Sequence, residues 1–212
     1  MVIALFGATG RTGRLVLERL LARGDHVRAL ARDPGKLVPH PGLAAFGGDA
    51  RDVPAVQRVV EGADAVVCCL GMQDITVPAT DFSDAVRGIV EAARAAGIRR
   101  VVAIASAGVL ADARGGLRNQ HGLPAAFANI AAEHTRNLRT FETSGLDWTL
   151  MCPIDLVDAP AGTARWVFED LPAGSHTGYA DLADTIVAML GRRDAHGRRV
   201  GVVSTNAAPR TA

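Results

Sequence analysis

Gly7-Ala8-Thr9-Gly10-Arg11-Thr12-Gly13 follows directly on the apolar run Val2-Ile3-Ala4-Leu5-Phe6. The run has the length and composition of a strand, and Arg14 to Leu21 behind the glycines reads as a helix. A strand, a glycine turn and a helix in this order form a dinucleotide-binding unit. Gly7 would allow the tight turn. Gly10 would let the backbone approach a pyrophosphate, and Gly13 would let helix and strand pack closely. The first helical N–H groups and the positive end of the helix dipole would then face the phosphates. The spacing is G-x-x-G-x-x-G, not the G-x-G-x-x-G of the common dinucleotide fingerprint. Thr9, Arg11 and Thr12 lie inside the turn and join the three glycines as candidate cofactor contacts.

The rest of the chain alternates strand and helix. His26 to Ala31 reads as a second strand and Leu43 to Phe46 as a weaker third. Val53 to Glu61 reads as a short helix with Asp52 as N-cap and Pro54 in its first turn. Asp64 to Leu70 is a buried strand, Asp81 to Ala96 a helix ended by Gly97, and Val101 to Ala105 another buried strand. Pro124 to Thr143 is mainly helical and stops at Ser144-Gly145. Trp148 to Cys152 is a strand that Pro153 ends. Beyond Pro153, Ala164 to Glu169 and Arg199 to Val203 read as short strands around a helix at Leu182 to Leu190. This order predicts an α/β fold: a Rossmann-type, doubly wound parallel sheet with helices on both faces and a small C-terminal extension. Residues 1–212 read as one NAD(P)-binding domain. Two long loops, Gly71 to Thr80 and Ser106 to about Leu123, follow strand C-termini, where ligands bind in such sheets.

Composition narrows the function. Hydrophobic residues make up 49% of the chain and charged residues 21%, which excludes overall disorder. A net charge of +1 argues against a charge-driven role on nucleic acid or a membrane surface. Cys68, Cys69 and Cys152 form no C-x-x-C pair, so neither a zinc site nor a disulfide framework is indicated. No secretory leader and no membrane-spanning apolar stretch is visible, so a cytoplasmic location is expected.

Arg32 stands at the end of the second strand, where the adenosine ribose lies in such folds. An acidic residue there binds the ribose 2′-hydroxyl, whereas arginine accommodates a 2′-phosphate. Arg32 with Lys36 nearby therefore points to NADP, NADPH being preferred over NADH; the competing reading uses Asp33 for the ribose. Asp49, in Gly47-Gly48-Asp49-Ala50, could contact the adenine amino group or cap its own turn. Leu70-Gly71 would let backbone pass near the cofactor, or form a plain turn. Ser106 could direct its hydroxyl at nicotinamide or a substrate carbonyl, or satisfy the loop backbone. His134 could lend a proton or bind ribose hydroxyls, although a helical histidine commonly faces solvent. The other histidines form no cluster, so no metal site is expected. Phe82, Phe127 and Trp166 could cover a flat ring, with core packing the simpler role for each.

These residues resemble the atypical short-chain dehydrogenase/reductases, in the NAD(P)H-binding group that includes NmrA-like proteins. The closest likeness is to the biliverdin-IXβ reductase/flavin reductase branch. It is carried by the Gly7 to Gly13 fingerprint, Arg32-Asp33 with Lys36, Gly48-Asp49-Ala50-Arg51-Asp52, Asp64-Ala65-Val66-Val67 and Ala95-Ala96-Gly97-Ile98. Thr143 to Thr149, Met151-Cys152-Pro153 and Tyr179-Ala180-Asp181-Leu182-Ala183 extend it toward the C-terminus. The resemblance implies that Pro153 borders the nicotinamide. Most of the superfamily carries a Tyr-x-x-x-Lys pair where this chain has Ile130 and His134. The biliverdin/flavin branch also lacks that pair, but has a histidine where Ile154 stands here. Cys152 replaces an arginine common before the proline.

The expectation is an NADPH-dependent reductase passing hydride to a flat small-molecule acceptor such as a flavin, quinone or tetrapyrrole-like compound. The alternative is a non-catalytic NADP(H)-binding redox sensor of NmrA-like type. A monomer or weak homodimer is expected, with no nucleic-acid or membrane partner.

Overall fold

The computed structural model describes residues 1–205. Ten strands and five helices follow in order: β1 (Val2–Phe6), α1 (Arg11–Ala22), β2 (His26–Ala31), β3 (Leu43–Gly47), α2 (Val53–Val60), β4 (Ala65–Cys68), α3 (Asp81–Ala95) and β5 (Arg100–Ile104). Then come α4 (Ala128–Glu142), β6 (Asp147–Pro153), β7 (Leu156–Val157), β8 (Ala164–Phe168), β9 (Thr177–Gly178), α5 (Tyr179–Met189) and β10 (Arg198–Ser204).

Eight strands make one sheet in the order β3-β2-β1-β4-β5-β6-β10-β8. All its pairings are parallel except β10 with β8, an antiparallel edge. The fold is thus the expected doubly wound α/β sheet. The two central strands β1 and β4 are apolar throughout because helices cover both faces. One face packs on α2, α3 and α4, with Phe6, Ile89 and Leu150 at its centre. The other packs on α1 and α5, with Ile3, Leu20, Leu182 and Ile186. Arg100 ties β5 to the C-terminal end of α5: its guanidinium donates to the carbonyls of Met189 at 2.5 Å and Leu190 at 3.2 Å. Those carbonyls lie at the end of α5, where intrahelical donors run out.

From β1 the chain runs outward through β2 to β3, then returns to the other side of β1 at β4. The strand order reverses there, which opens a crevice beyond the C-termini of β1 and β4.

Several local expectations need correction. Helix α1 begins at Arg11 rather than Arg14, because the glycine turn itself feeds the first helical turn and Gly10 is the N-cap. The side chain of Asp52 makes no cap bond; its carbonyl accepts the Val56 N–H at 3.0 Å instead. Helix α5 begins at Tyr179 rather than Leu182. β7 and β9 form a small parallel pair that the sequence reading missed. The loop from Ser106 to Leu123 is not featureless: it carries short 3-10 turns at Ala107–Val109 and Arg118–Gln120.

Candidate functional site

The glycine turn shows which of its residues the fold requires and which it leaves open. Gly7 has φ +84°, and a Cβ there would stand 2.6 Å from the Cys69 carbonyl oxygen. A Cβ on Gly13 would stand 2.0 Å from the carbonyl oxygen of Gly7. Both positions are therefore closed to side chains by the packing of β1, β4 and α1. Gly10 differs: its backbone is extended, and a Cβ would meet only the Gly7 carbonyl oxygen, at 3.3 Å. The space in front of Gly10 belongs to a groove that Gly7, Thr9 and Gly10 line. No side chain caps α1. The N–H groups of its first turn have no intrahelical acceptor, and the helix dipole places positive potential there. This is a cradle for an anion that approaches backbone closely.

The groove holds about 530 Å³ and runs from the glycine turn past the ends of β2, β3 and β4. Leu30, Arg32, Asp49, Ala50, Leu70 and Gly71 line it, so most of the residues expected around adenosine stand together. Asp33 does not line the groove. Its carboxylate accepts the Gly35 N–H at 3.1 Å and caps its own Pro34–Lys36 turn. Lys36 is exposed and lies outside the groove wall. Asp49 is engaged by Arg51, with Nε on Oδ1 at 2.9 Å and Nη2 on Oδ2 at 3.1 Å. That pairing holds the Asp49 carboxyl down at about 2, against the opposing effect of burial. Arg51 reaches Asp81 as well, at 3.0 Å. Arg32 has no carboxylate partner among the described residues. Its guanidinium meets the Gln73 carboxamide, whose oxygen, turned toward these donors, accepts from Nη2 at 2.6 Å and Nη1 at 2.9 Å. Gln73 and Arg51 escaped the sequence reading. Arg51 lay inside the Gly48 to Asp52 match, whereas nothing local to Gln73 points across to Arg32.

Ser106 and Pro153, expected beside the nicotinamide, follow the ends of β5 and β6. Ile104 is in register with Met151, which sets Ser106 beside Pro153 at the C-terminal edge of the sheet. Pro153 is buried and Ser106 half-buried; neither lines the groove itself. The Ser106 carbonyl accepts the Val109 N–H at 3.1 Å and starts the following turn. Its hydroxyl has no partner among the described residues, so it is not consumed by the loop backbone. Arg11 and Thr12 also lie outside the groove wall: Thr12 is buried, and the Arg11 guanidinium stacks 4.5 Å over the ring of Tyr179, the chain's one tyrosine.

His134 is 7% exposed and meets the Phe82 ring edge-on at 5.3 Å, one layer behind the groove wall that Phe82 helps to form. A helical histidine facing solvent is thus not what the structure holds. Its Nδ1 is buried without a partner. Burial pushes the imidazole down to about 4, with Glu133 opposing. At neutral pH the ring is uncharged. Its neighbour Glu133 is fully buried and accepts from the Ser83 hydroxyl at 2.7 Å and Arg136 Nε at 2.8 Å, which ties α3 to α4. Linkage gives a test. Above the unfolded value of 6.5 neither state binds the proton. As pH falls toward about 4 the unfolded chain takes it up and the folded chain does not, so stability is lost across that window. About 3 kcal/mol is at stake at about 1.4 kcal/mol per unit. Thermal unfolding of His134→Gln should lose this part of the acid sensitivity. An unchanged pH dependence would mean that His134 is not held neutral.

Of the aromatic candidates, Phe82 belongs to the core and to the groove wall at once. Phe127 is 46% exposed, so core packing does not describe it. Trp166 sits on the edge strand β8 between Phe168 and Arg192. Burial raises the Cys68 and Cys152 thiols, Cys68 to about 11, which leaves both protonated at neutral pH, whereas Cys69 is half-buried and lines the groove. Among the described residues, no group of three His, Cys, Asp or Glu side chains could hold a metal, and no helix is long and apolar enough to cross a membrane.

Comparison with known proteins places this arrangement. The NAD(P)H-binding family model matches residues 7–193. The chain is 30% identical over 211 residues to a (4-alkanoyl-5-oxo-2,5-dihydrofuran-3-yl)methyl phosphate reductase of Streptomyces griseus, covering 95% of this chain and 67% of that one. Among solved structures, the anaerobillin reductase ChuY of Escherichia coli O157:H7 superposes with a TM-score of 0.80 at 24% identity, over 99% of this chain and 100% of that one. A wide-type short-chain dehydrogenase/reductase of Veillonella parvula, solved with NADP, gives 0.73 at 18% identity, over 96% and 94%.

Proposed function

The chain belongs to the NAD(P)H-binding family, and we propose that it is an NADPH-dependent reductase acting on a flat small-molecule acceptor such as a flavin, quinone or tetrapyrrole-like compound. The observation that carries the cofactor half is the state of Arg32 and Asp33. Asp33, the competing candidate for the ribose, stands outside the groove wall and caps its own turn through Oδ1. Arg32 lines the groove with a neutral hydrogen-bond partner and no ion pair among the described residues, the nearby Asp49 carboxylate being paired with Arg51, which suits a 2′-phosphate. The open space at Gly10 and the uncapped start of α1 fit the pyrophosphate.

Bound NADPH would supply hydride; the protein's part is to bind, orient and exclude water. Ser106 offers its free hydroxyl as a hydrogen-bond donor to the acceptor. His134, buried behind the Phe82 wall and outside the groove, reaches neither the ribose hydroxyls nor the acceptor, so neither role expected of it from the sequence is retained. With Ile130 and His134 at the places of the tyrosine and lysine, no dedicated acid stands there, and the accompanying proton would come from solvent. An acceptor whose reduced form tolerates that route is favoured over a simple carbonyl. The Streptomyces griseus relative and the Escherichia coli protein of the same fold are both reductases, which supports the reaction class.

The test is NADPH consumption by the pure protein against FMN, quinones, biliverdin and small aldehydes, with NADPH binding followed in the same samples. Saturable turnover with a flat acceptor and none with aldehydes is expected. Tight NADPH binding with no turnover would overturn the reductase reading in favour of a redox sensor.

A further inference from the structure

The loop from Gly71 to Thr80 is tied down at both ends of the groove. Asp74 accepts from the Thr76 N–H at 2.9 Å and hydroxyl at 2.6 Å, which shapes its middle. Asn129 donates to the Ile75 carbonyl at 3.1 Å and Arg136 to the Ala79 carbonyl at 2.9 Å, both from α4. On the opposite side the loop's hold is Gln73 against Arg32.

A guanidinium offers five N–H donors along three edges. The Gln73 oxygen bridges Nη1 and Nη2 and so occupies the end-on edge. The side edge made by Nε and one Nη stays free for a second, bidentate partner. Because the partner already present is a neutral amide, it fixes the plane of the guanidinium without forming an ion pair with it. Arg51, the neighbouring cation, shows the contrast: Asp49 and Asp81 both engage it.

Resting on the NADPH reading, we infer that Gln73 is a positioning residue for cofactor selection, which holds Arg32 in the orientation that receives the 2′-phosphate while leaving its charge available. Glutamate at this position would have the same shape and the opposite effect. Its carboxylate would pair with Arg32 and compete with the phosphate for one charge. Methionine would remove the hydrogen bonds and add no charge.

The test is calorimetric titration of wild type, Gln73→Glu and Gln73→Met with NADPH, NADH and adenosine 2′-monophosphate. Gln73→Glu should weaken NADPH and adenosine 2′-monophosphate about tenfold or more and leave NADH within about twofold of wild type. Gln73→Met should weaken NADPH about threefold, again with NADH unmoved. Loss of NADPH and NADH by the same factor would make Gln73 a loop contact only and overturn the inference. A wild-type preference for NADPH that survives Gln73→Glu would overturn it alone. Equal wild-type affinity for NADPH and NADH would overturn the 2′-phosphate reading and the inference together.

Discussion

Arg32→Ala is expected to weaken NADPH binding about tenfold to hundredfold and to leave NADH binding nearly unchanged. A hydrogen bond to a charged group contributes about 1.5–3 kcal/mol, and each 1.4 kcal/mol is about a factor of ten. The selectivity of the effect is the informative part. Arg32 is exposed at the groove edge and takes part in no ion pair among the described residues. Its removal should therefore cost the fold little. NADH lacks the 2′-phosphate and would keep every contact at the glycine turn, Asp49-Ala50 and Leu70-Gly71. Titration of both nucleotides checks this directly. Equal losses would show that Arg32 acts on the ribose or on the fold and not on the phosphate.

The glycine turn gives the second large effect. In Gly13→Ala the new methyl would lie 2.0 Å from the Gly7 carbonyl oxygen, far inside contact distance, and the atoms it meets are backbone. The turn or the start of α1 must move. Overpacking of this kind costs about 1–3 kcal/mol, occasionally more. Because Gly7 is pinned against the Cys69 carbonyl, the displacement falls on the phosphate cradle, and nucleotide binding should be lost along with stability. Gly10→Ala is the control. Its methyl meets one backbone oxygen at 3.3 Å, a tight contact at the N-cap of α1, so the melting temperature should fall much less than in Gly13→Ala while NADPH binding falls steeply. A Gly10→Ala variant that binds NADPH normally would place the pyrophosphate elsewhere.

The contrast between these glycines also shows what sequence can carry. The spacing of Gly7, Gly10 and Gly13 marked the turn, but one glycine pattern serves both packing and ligand approach. Only the distances separate them. Strands β1 and β2 were legible to the residue, because apolar runs bounded by glycine leave little choice of register. The start of α1 was not, since glycines weaken the helical signal at the place where this helix begins. The true role of Asp33 was within reach: Asp33-Pro34-Gly35 is turn chemistry, with the aspartate capping the turn.

Helix α4 was the hardest to read. Glu133, His134 and Asn137 are polar and buried, where periodicity alone assigns such residues to solvent. The partners of Glu133 are Ser83, far back in the chain, and Arg136 one turn on. Such pairing offsets the burial of a carboxylate only once tertiary structure exists. Gln73 is a similar case. Its meaning depends on a guanidinium delivered by a different strand, and no spacing rule links the two.

The central claim is that hydride leaves NADPH bound in this groove for a flat acceptor. Its most direct test is a single-turnover experiment, mixing wild-type protein loaded with one equivalent of NADPH with increasing excess of FMN, a quinone or biliverdin and following nicotinamide absorbance. The account predicts a first-order loss of the reduced nicotinamide at a rate that saturates with one of these acceptors. Nicotinamide that stays reduced on the protein at saturating levels of all of them would contradict it.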